Sequence, residues 1–284
     1  MRSIGIPSPL RGRRLAGRSP YQEHRHSTGF VEEPFFDPLN QEKMKQELNS
    51  LNQPVGMVVS GWTPPPAPKR ECMTGHFCRL EPLDATSHAE SLYAANSLEG
   101  GEANWTYLPY GPFDSFEDYY DWIENDCGGH DPLFFAIIDQ VTGKAVGVAS
   151  YLRVNPPCGS IEVGHLNFSP LLQRKPAATE AMYLMMSNAF ALGFRRYEWK
   201  CHALNAPSRA AAQRLGISYE GILRQSTVVK GRSRDTAWYA AIDDEWPGLK
   251  DVFEEWLSPS NFDEQGKQRL RLSGLTEAFL NNRE

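Results

Sequence analysis

At 284 residues with 40% apolar side chains, the chain is long enough for one large or two small domains and can bury a substantial core. Its formal net charge of -6 argues against a general nucleic-acid binder, which carries a basic face, and no apolar run approaches the roughly 20 residues that span a bilayer. The five cysteines, Cys72, Cys78, Cys127, Cys158 and Cys201, are odd in number and lack metal-ligand spacing, which fits a reducing compartment such as the cytoplasm and no metal site.

Residues 1–50 differ from the rest. Arg2, Arg11, Arg13, Arg14 and Arg18 precede the first acid, Glu23, with Pro7, Pro9 and Pro20 among them. An arginine-rich, acid-poor start fits a mitochondrial transit peptide, whereas the prolines and the lack of an apolar face favour a plain flexible tail. Glu42 to Leu51 predicts a short helix. Residues 51–75 form a lead-in segment in which Thr63 to Lys69, TPPPAPK, is a stiff linker, and residues 76–284 form the folded domain.

Within that domain, His76 to Glu81 reads as a strand, followed by helices over Ala85 to Asn96 and Phe116 to Asn125. Leu133 to Ile138 and Ala145 to Leu152 are apolar strands joined at Thr142-Gly143, a hairpin signal. A strand over Ile161 to Phe168, a helix from Ala178 to Gly193, a strand over Arg195 to Cys201 and a helix from Asn205 to Gly216 follow. Tyr219 to Val229 and Thr236 to Ile242 are further strands, joined by the polar turn Lys230-Gly231-Arg232-Ser233-Arg234. Helices over Leu249 to Leu257 and Gln268 to Leu280 close the chain. Strands and helices alternating in this way around a mixed sheet predict an α/β or α+β layer fold.

The run from Ile161 to Gly221 carries the chemistry. Gly164 inside the first strand marks a bulge or a close backbone approach. Gln173-Arg174-Lys175-Pro176-Ala177-Ala178 places two cations and small residues at a helix start, where free N–H groups and the dipole favour a phosphate. Asn205 is a plausible cap for the second helix. Taken alone, the basic loop also fits an ordinary solvated connection.

Together these residues resemble the GNAT superfamily of N-acetyltransferases, and most of all the branch related to the ribosomal-protein N-terminal acetyltransferases. The resemblance extends from about Leu51 to the C-terminus. It implies a mixed, mostly antiparallel central sheet with a V-shaped splay between two central strands, flanked by helices, and acetyl-coenzyme A as co-substrate. The family's pyrophosphate loop runs Gln or Arg, any two residues, Gly, any residue, then Gly or Ala. Gln173 and Ala178 match it, while Pro176 stands at the first glycine and has no N–H to donate. The implied cofactor contacts are Leu166 and Phe168 on the strand, Gln173, Arg174, Lys175, Ala177, Ala178 and Thr179 at the loop and helix start, and Asn205 and Ser208 beyond. In the family the asparagine meets the pantetheine arm and the serine hydroxyl can protonate the departing thiolate. Many members use a tyrosine as that acid, and the matching position here is Ala212.

Acetyl transfer to an amine needs a neutral nucleophile and a donor for the oxygen that gains charge. The backbone N–H of Leu166 or a neighbour is the expected oxyanion donor. Glu162 is the leading general base, acting directly or through a water, with a structural ion pair as its other reading. His165 has the more suitable ordinary pKa and also fits a core histidine. In uninterrupted alternation the two point to opposite faces. Trp105, Tyr107 and Tyr110 are candidates to line the acceptor cleft, whereas Trp199 and Trp238 read as core.

The acidic composition suits a cationic amine. The preferred activity is N-acetylation of a small-molecule primary amine. A protein N-terminal or lysine acetyltransferase and a catalytically silent acyl-coenzyme A sensor are the alternatives, and a homodimer through a sheet edge or the C-terminal helix is compatible with the fold.

Overall fold

A computed structural model of the chain describes residues 46–281. The chain divides into two units, Met1–Gly61 and Trp62–Glu284. The tail and import readings of the arginine-rich start lie outside the described residues. So does the first part of the helix predicted over Glu42 to Leu51, whose described part is instead a strand.

In the first unit, β1 (Gln46–Leu48) pairs antiparallel with β2 (Pro54–Gly56). The reason is local. Asn49 Oδ1 accepts from the backbone N–H groups of Leu51 and Gln53, at 2.9 and 3.0 Å, and so offers these donors a turn in place of a helix.

The second unit is built on an eight-stranded sheet in the order β3-β4-β5-β6-β7-β8-β10-β9. Its strands are β3 (Met73–Thr74), β4 (Cys78–Pro82), β5 (Leu133–Asp139), β6 (Ala145–Asn155), β7 (Ser160–Phe168), β8 (Arg196–His202), β9 (Ser218–Val229) and β10 (Arg232–Ile242). All neighbours are antiparallel except β7 and β8. That parallel pair needs a crossover, which α3 (Pro176–Leu192) supplies. Pro176 fits the first helical position, and Gly193, with φ of 98°, stops the helix in the left-handed conformation.

Helices cover both faces of the sheet, and for that reason β5 is a continuous apolar run rather than an alternating one. Leu133, Phe135 and Ile137 join a core with α3, α4 (Ala206–Arg214), α5 (Trp246–Leu257) and α6 (Leu272–Asn281). Phe134, Ala136 and Ile138 join a second core with α1 (Ala85–Asn96) and α2 (Phe116–Asp126).

The proline-rich lead-in is docked within its unit. Pro65 and Pro68 are buried, and Arg70 donates to the carbonyl oxygens of Leu83, Gly128 and Gly129. The polar turn predicted over Lys230 to Arg234 is shorter than expected. Only Lys230 and Gly231, with φ of 48° and 72°, form the turn. A two-residue hairpin with positive φ at both positions matches strand twist, so Arg232, Ser233 and Arg234 are freed to pair with Val229, Val228 and Thr227.

Candidate active site

The sheet opens between β7 and β8. Their ladder ends at Val163 and Trp199, although β7 continues to Phe168 and β8 to His202. A bulge in β7 drives the opening. Between the pairs Val148–Asn167 and Ser150–Gly164, β6 advances two residues and β7 three. His165 takes the extra place with φ of 51°, a left-handed conformation costly for a non-glycine residue. His165 and Leu166 therefore have no ladder partner on β6, and from Gly164 onward β7 has none on β8. The result is a cleft of about 530 Å³.

The bulge also breaks the side-chain alternation, so Glu162 and His165 both line the cleft instead of facing opposite ways. Glu162 is buried, and each of its oxygens lies 2.8 Å from Arg153 Nη1. Lys200 Nζ lies 3.0 Å from Glu162 and 2.7 Å from Glu198 and sits 3.8 Å from the centre of the Trp238 ring. Arg153 reaches Glu162 from a second left-handed residue, with φ of 47°, whose backbone N–H donates to Asp131 at 2.8 Å. Burial, with Arg153 and Arg234 nearby, pushes the His165 imidazole down to about 4, so it is neutral at physiological pH. Its Nδ1 lies 3.0 Å from the Tyr110 hydroxyl. Burial holds that phenol far above its ordinary range, so it stays protonated.

On the opposite face stand the residues of α4. Asn205 caps the helix, its Oδ1 accepting from Ser208 N at 3.2 Å. Trp199 Nε1 donates to Ser208 Oγ at 3.1 Å, and the Ser208 hydroxyl lies within hydrogen-bond reach of the Cys201 thiol. Ala212 is fully buried in the first core.

The loop before α3 is engaged in part. Gln173 Nε2 donates to Asn104 Oδ1 at 2.9 Å and to Phe168 O at 2.8 Å, and so closes the end of β7. Thr179 is buried and its hydroxyl accepts from Arg214 at 3.0 Å, which ties α3 to α4. Arg174 and Lys175 are exposed beside the first turn, where Ala177 and Ala178 stand. Leu166 lines the cleft and has no ladder partner on β6 or β8.

The aromatic loop separates into different roles. Trp105 is 4% exposed and packs in the second core, so it does not line the cleft. Tyr110 stands behind His165. Tyr107 lines the cleft, its hydroxyl donating to Leu204 O at 3.2 Å. Trp199, read from the sequence as core, is buried in the first core and also borders the cleft, whereas Trp238, given the same reading, lines the cleft without joining a core. Arg153, Lys200, Arg234 and Lys230 were missed. The alternation of Arg196 to His202 was the signal for Lys200, whereas Arg234 was hidden by the assignment of its stretch to a turn. Among the described residues no cluster of His, Cys, Asp and Glu is arranged to hold a metal, and no helix is long and apolar enough to cross a membrane.

Comparison with known proteins identifies the fold. The family model described as an acetyltransferase (GNAT) domain matches residues 78–218. The crystal structure of a GCN5-related N-acetyltransferase from Brucella melitensis is 45% identical, with a TM-score of 0.75 over 77% of this chain and 100% of that one. A GNAT-family protein from Chromobacterium violaceum is 37% identical, with a TM-score of 0.64 over 69% and 98%. An acetyl transferase from Salmonella typhimurium, which modifies the N-terminal serine of a 50S ribosomal subunit protein, shares the fold at 21% identity, with a TM-score of 0.52 over 61% and 99%. No curated protein matches the chain.

Proposed function

Since the chain belongs to the GNAT family of acetyltransferases, we propose that it transfers the acetyl group of acetyl-coenzyme A to the primary amine of a small molecule. The unpaired edge of β7 beyond Val163 fits the co-substrate, because it offers backbone groups that a sheet would otherwise consume. Leu166 and Phe168 on that edge, Arg174, Lys175, Ala177 and Ala178 at the α3 start, and Asn205 are the residues that would hold it. Gln173 and Thr179 act here as supports for that frame. When bound, the co-substrate supplies an activated acetyl group and a thiol leaving group.

The chain's own residues do the rest. The Leu166 N–H, on a residue with no ladder partner, would donate to the oxygen that gains charge. Ser208 accepts from Trp199, and its hydroxyl proton, otherwise directed at the Cys201 thiol, would turn to the departing sulfur. Glu162 takes the amine proton through a water, since its oxygens already accept from Arg153 and Lys200. Asn205→Ala is expected to raise KM for acetyl-coenzyme A about 10-fold with less effect on kcat, and to lose about 1 kcal/mol of stability with the cap. Steady-state kinetics beside urea unfolding checks this. The stability loss with KM unchanged would leave Asn205 as a cap alone.

The observation that favours a small acceptor is the fastening of the aromatic loop beside the cleft. Lys230 at the tip of the β9–β10 hairpin donates to the carbonyl oxygens of Trp105, Tyr110 and Gly111, at 2.9, 3.2 and 2.6 Å. With the Tyr107–Leu204 bond, this fastens the aromatic loop over the acceptor side on two flanks. A peptide needs room for the residues that follow its amine, while a small amine is served by an enclosed, aromatic-lined pocket. Lys230→Met, which loses three charge-assisted bonds, is expected to raise KM for the acceptor about 10-fold and leave KM for acetyl-coenzyme A within twofold. Equal changes in both constants would refute the loop assignment.

The direct test is thiol release from acetyl-coenzyme A against amino acids, polyamines, aminoglycoside-like amines and short peptides. A protein N-terminus, the acceptor of the Salmonella neighbour, is the other reading, and preference for peptides would establish it. Five free thiols fit a reducing compartment, so the cytoplasm is the location that this reading carries.

A further inference from the structure

The charges of the cleft do not balance, and the remainder sits on the acceptor side. Residues opposed across a ladder share a face. Trp238 opposes Lys200, and Glu198 opposes Glu162, so these four side chains stand together on one face. Arg153 and Lys200 are matched there by Glu162 and Glu198. Arg234 is not matched. It lines the same cleft, half-buried on β10, and makes no ion pair or hydrogen bond among the described residues. Its Nε is buried without a partner. A buried guanidinium Nε–H with no partner is costly unless a ligand completes it, while the rest of the group faces the cleft.

The surroundings of Arg234 are those of an anion site. Thr227 is its partner across the ladder, and the hydroxyls of Ser226 and Thr236 lie 3.1 Å apart beside it, all four lining the cleft. The set offers a planar fork and hydroxyl donors, which suits a carboxylate. It does not suit a polyamine or an aminoglycoside, whose extra ammonium groups would meet the unmatched cation. The acidic composition of the whole chain is therefore a poor guide to the acceptor.

Building on the acetyltransferase reading above, we propose that the acceptor is an amino carboxylate, and that Arg234 binds its carboxylate while the amine faces the splay beside Glu162. Arg234 is thus a residue of acceptor specificity, placed on β10, on the far side of β8 from the strand that carries the oxyanion donor.

The test pairs amino acids with their amides, which differ only in the carboxylate, for wild type, Arg234→Gln and Arg234→Lys. Thiol release is measured for each acceptor. Binding of the N-acetylated amino acids and of their amides, in the presence of coenzyme A, is measured by calorimetry. Wild type is expected to prefer carboxylates about 10- to 100-fold in KM or Kd, the range of a lost charge-assisted bond. The preference should collapse towards one in Arg234→Gln and survive in part in Arg234→Lys. Equal binding of carboxylates and amides by wild type, or a preference unchanged in Arg234→Gln, overturns the proposal. Absence of thiol release with every acceptor would instead strike the acetyltransferase reading, and the calorimetry arm still decides the carboxylate site. Peptides with Asp or Glu in second place separate the sources. An Arg234-dependent preference for them over free amino acids keeps the carboxylate site and moves the carboxylate to a peptide.

Discussion

Replacing Glu180 with alanine is expected to destabilise the protein by about 3–5 kcal/mol, the largest single effect outside the apolar core. Glu180 lies on α3, is 4% exposed, and its carboxylate accepts from the backbone N–H groups of His76, Phe77 and Cys78 at 2.7, 2.6 and 2.7 Å. One side chain thus satisfies three donors at the start of β4. Each donor stranded without a partner costs about 1–3 kcal/mol, less where water can reach it, and His76 is exposed while Cys78 is not. Glu180→Gln places an amide NH2 against one of the donors and is expected to cost about 2–3 kcal/mol. The approach is close enough to dictate a neighbour. A Cβ at Gly75 would overlap the Glu180 carboxylate, so glycine is required there for space and not for its dihedral freedom. Urea unfolding of both variants is the measurement, and a loss below about 1 kcal/mol for the alanine variant would remove the carboxylate as a fastening. The consequence for function is direct, because Glu180 follows the Pro176–Thr179 turn that would receive the co-substrate. What holds β4 also holds that turn.

Glu180 shows what the sequence withheld. A glutamate within a helix reads as solvated, and nothing nearby in sequence announces that residues some hundred positions earlier will fold their N–H groups onto it. The site divides along the same line. The cap at Asn205 and the glycine stop at Gly193 were legible, because each depends on contacts a few residues apart. Gly164 drew attention to the bulge, yet the residue that takes the left-handed conformation is His165, a choice made by pairing with β6. Arg153 and Lys200 come from two strands and meet at Glu162, and Arg234 enters the same cleft from a third, and all of this depends on register. Trp105 and Trp238 exchanged roles for a similar reason. An aromatic residue in a loop suggested a cleft and one in a strand suggested core, but α1 and α2 bury the first, and the splay uncovers the second.

Glu162→Gln is expected to lower kcat/KM about 100-fold and to displace its pH profile upward, if the carboxylate is the proton acceptor. The sign follows from the chemistry. Without a group to take the proton, the acceptor must arrive as the free amine, whose fraction rises with pH. A purely structural role would act differently, through Arg153 and Lys200. Lys200 keeps Glu198 at 2.7 Å and Arg153, with its side chain 62% exposed, regains water, but the Glu162–Lys200 pair is buried, so a few kcal/mol of stability is at stake. Lost stability lowers the folded fraction and does not by itself displace the pH profile of the rate. Rate–pH curves for both proteins, beside their unfolding curves, therefore separate the two roles. An unaltered rate and profile would remove Glu162 from the proton path and leave it as the pin for two cations. His165 would then be the remaining acceptor on β7. It is neutral above about pH 4 and held by Tyr110, and the bulge has turned it to the same side of the sheet.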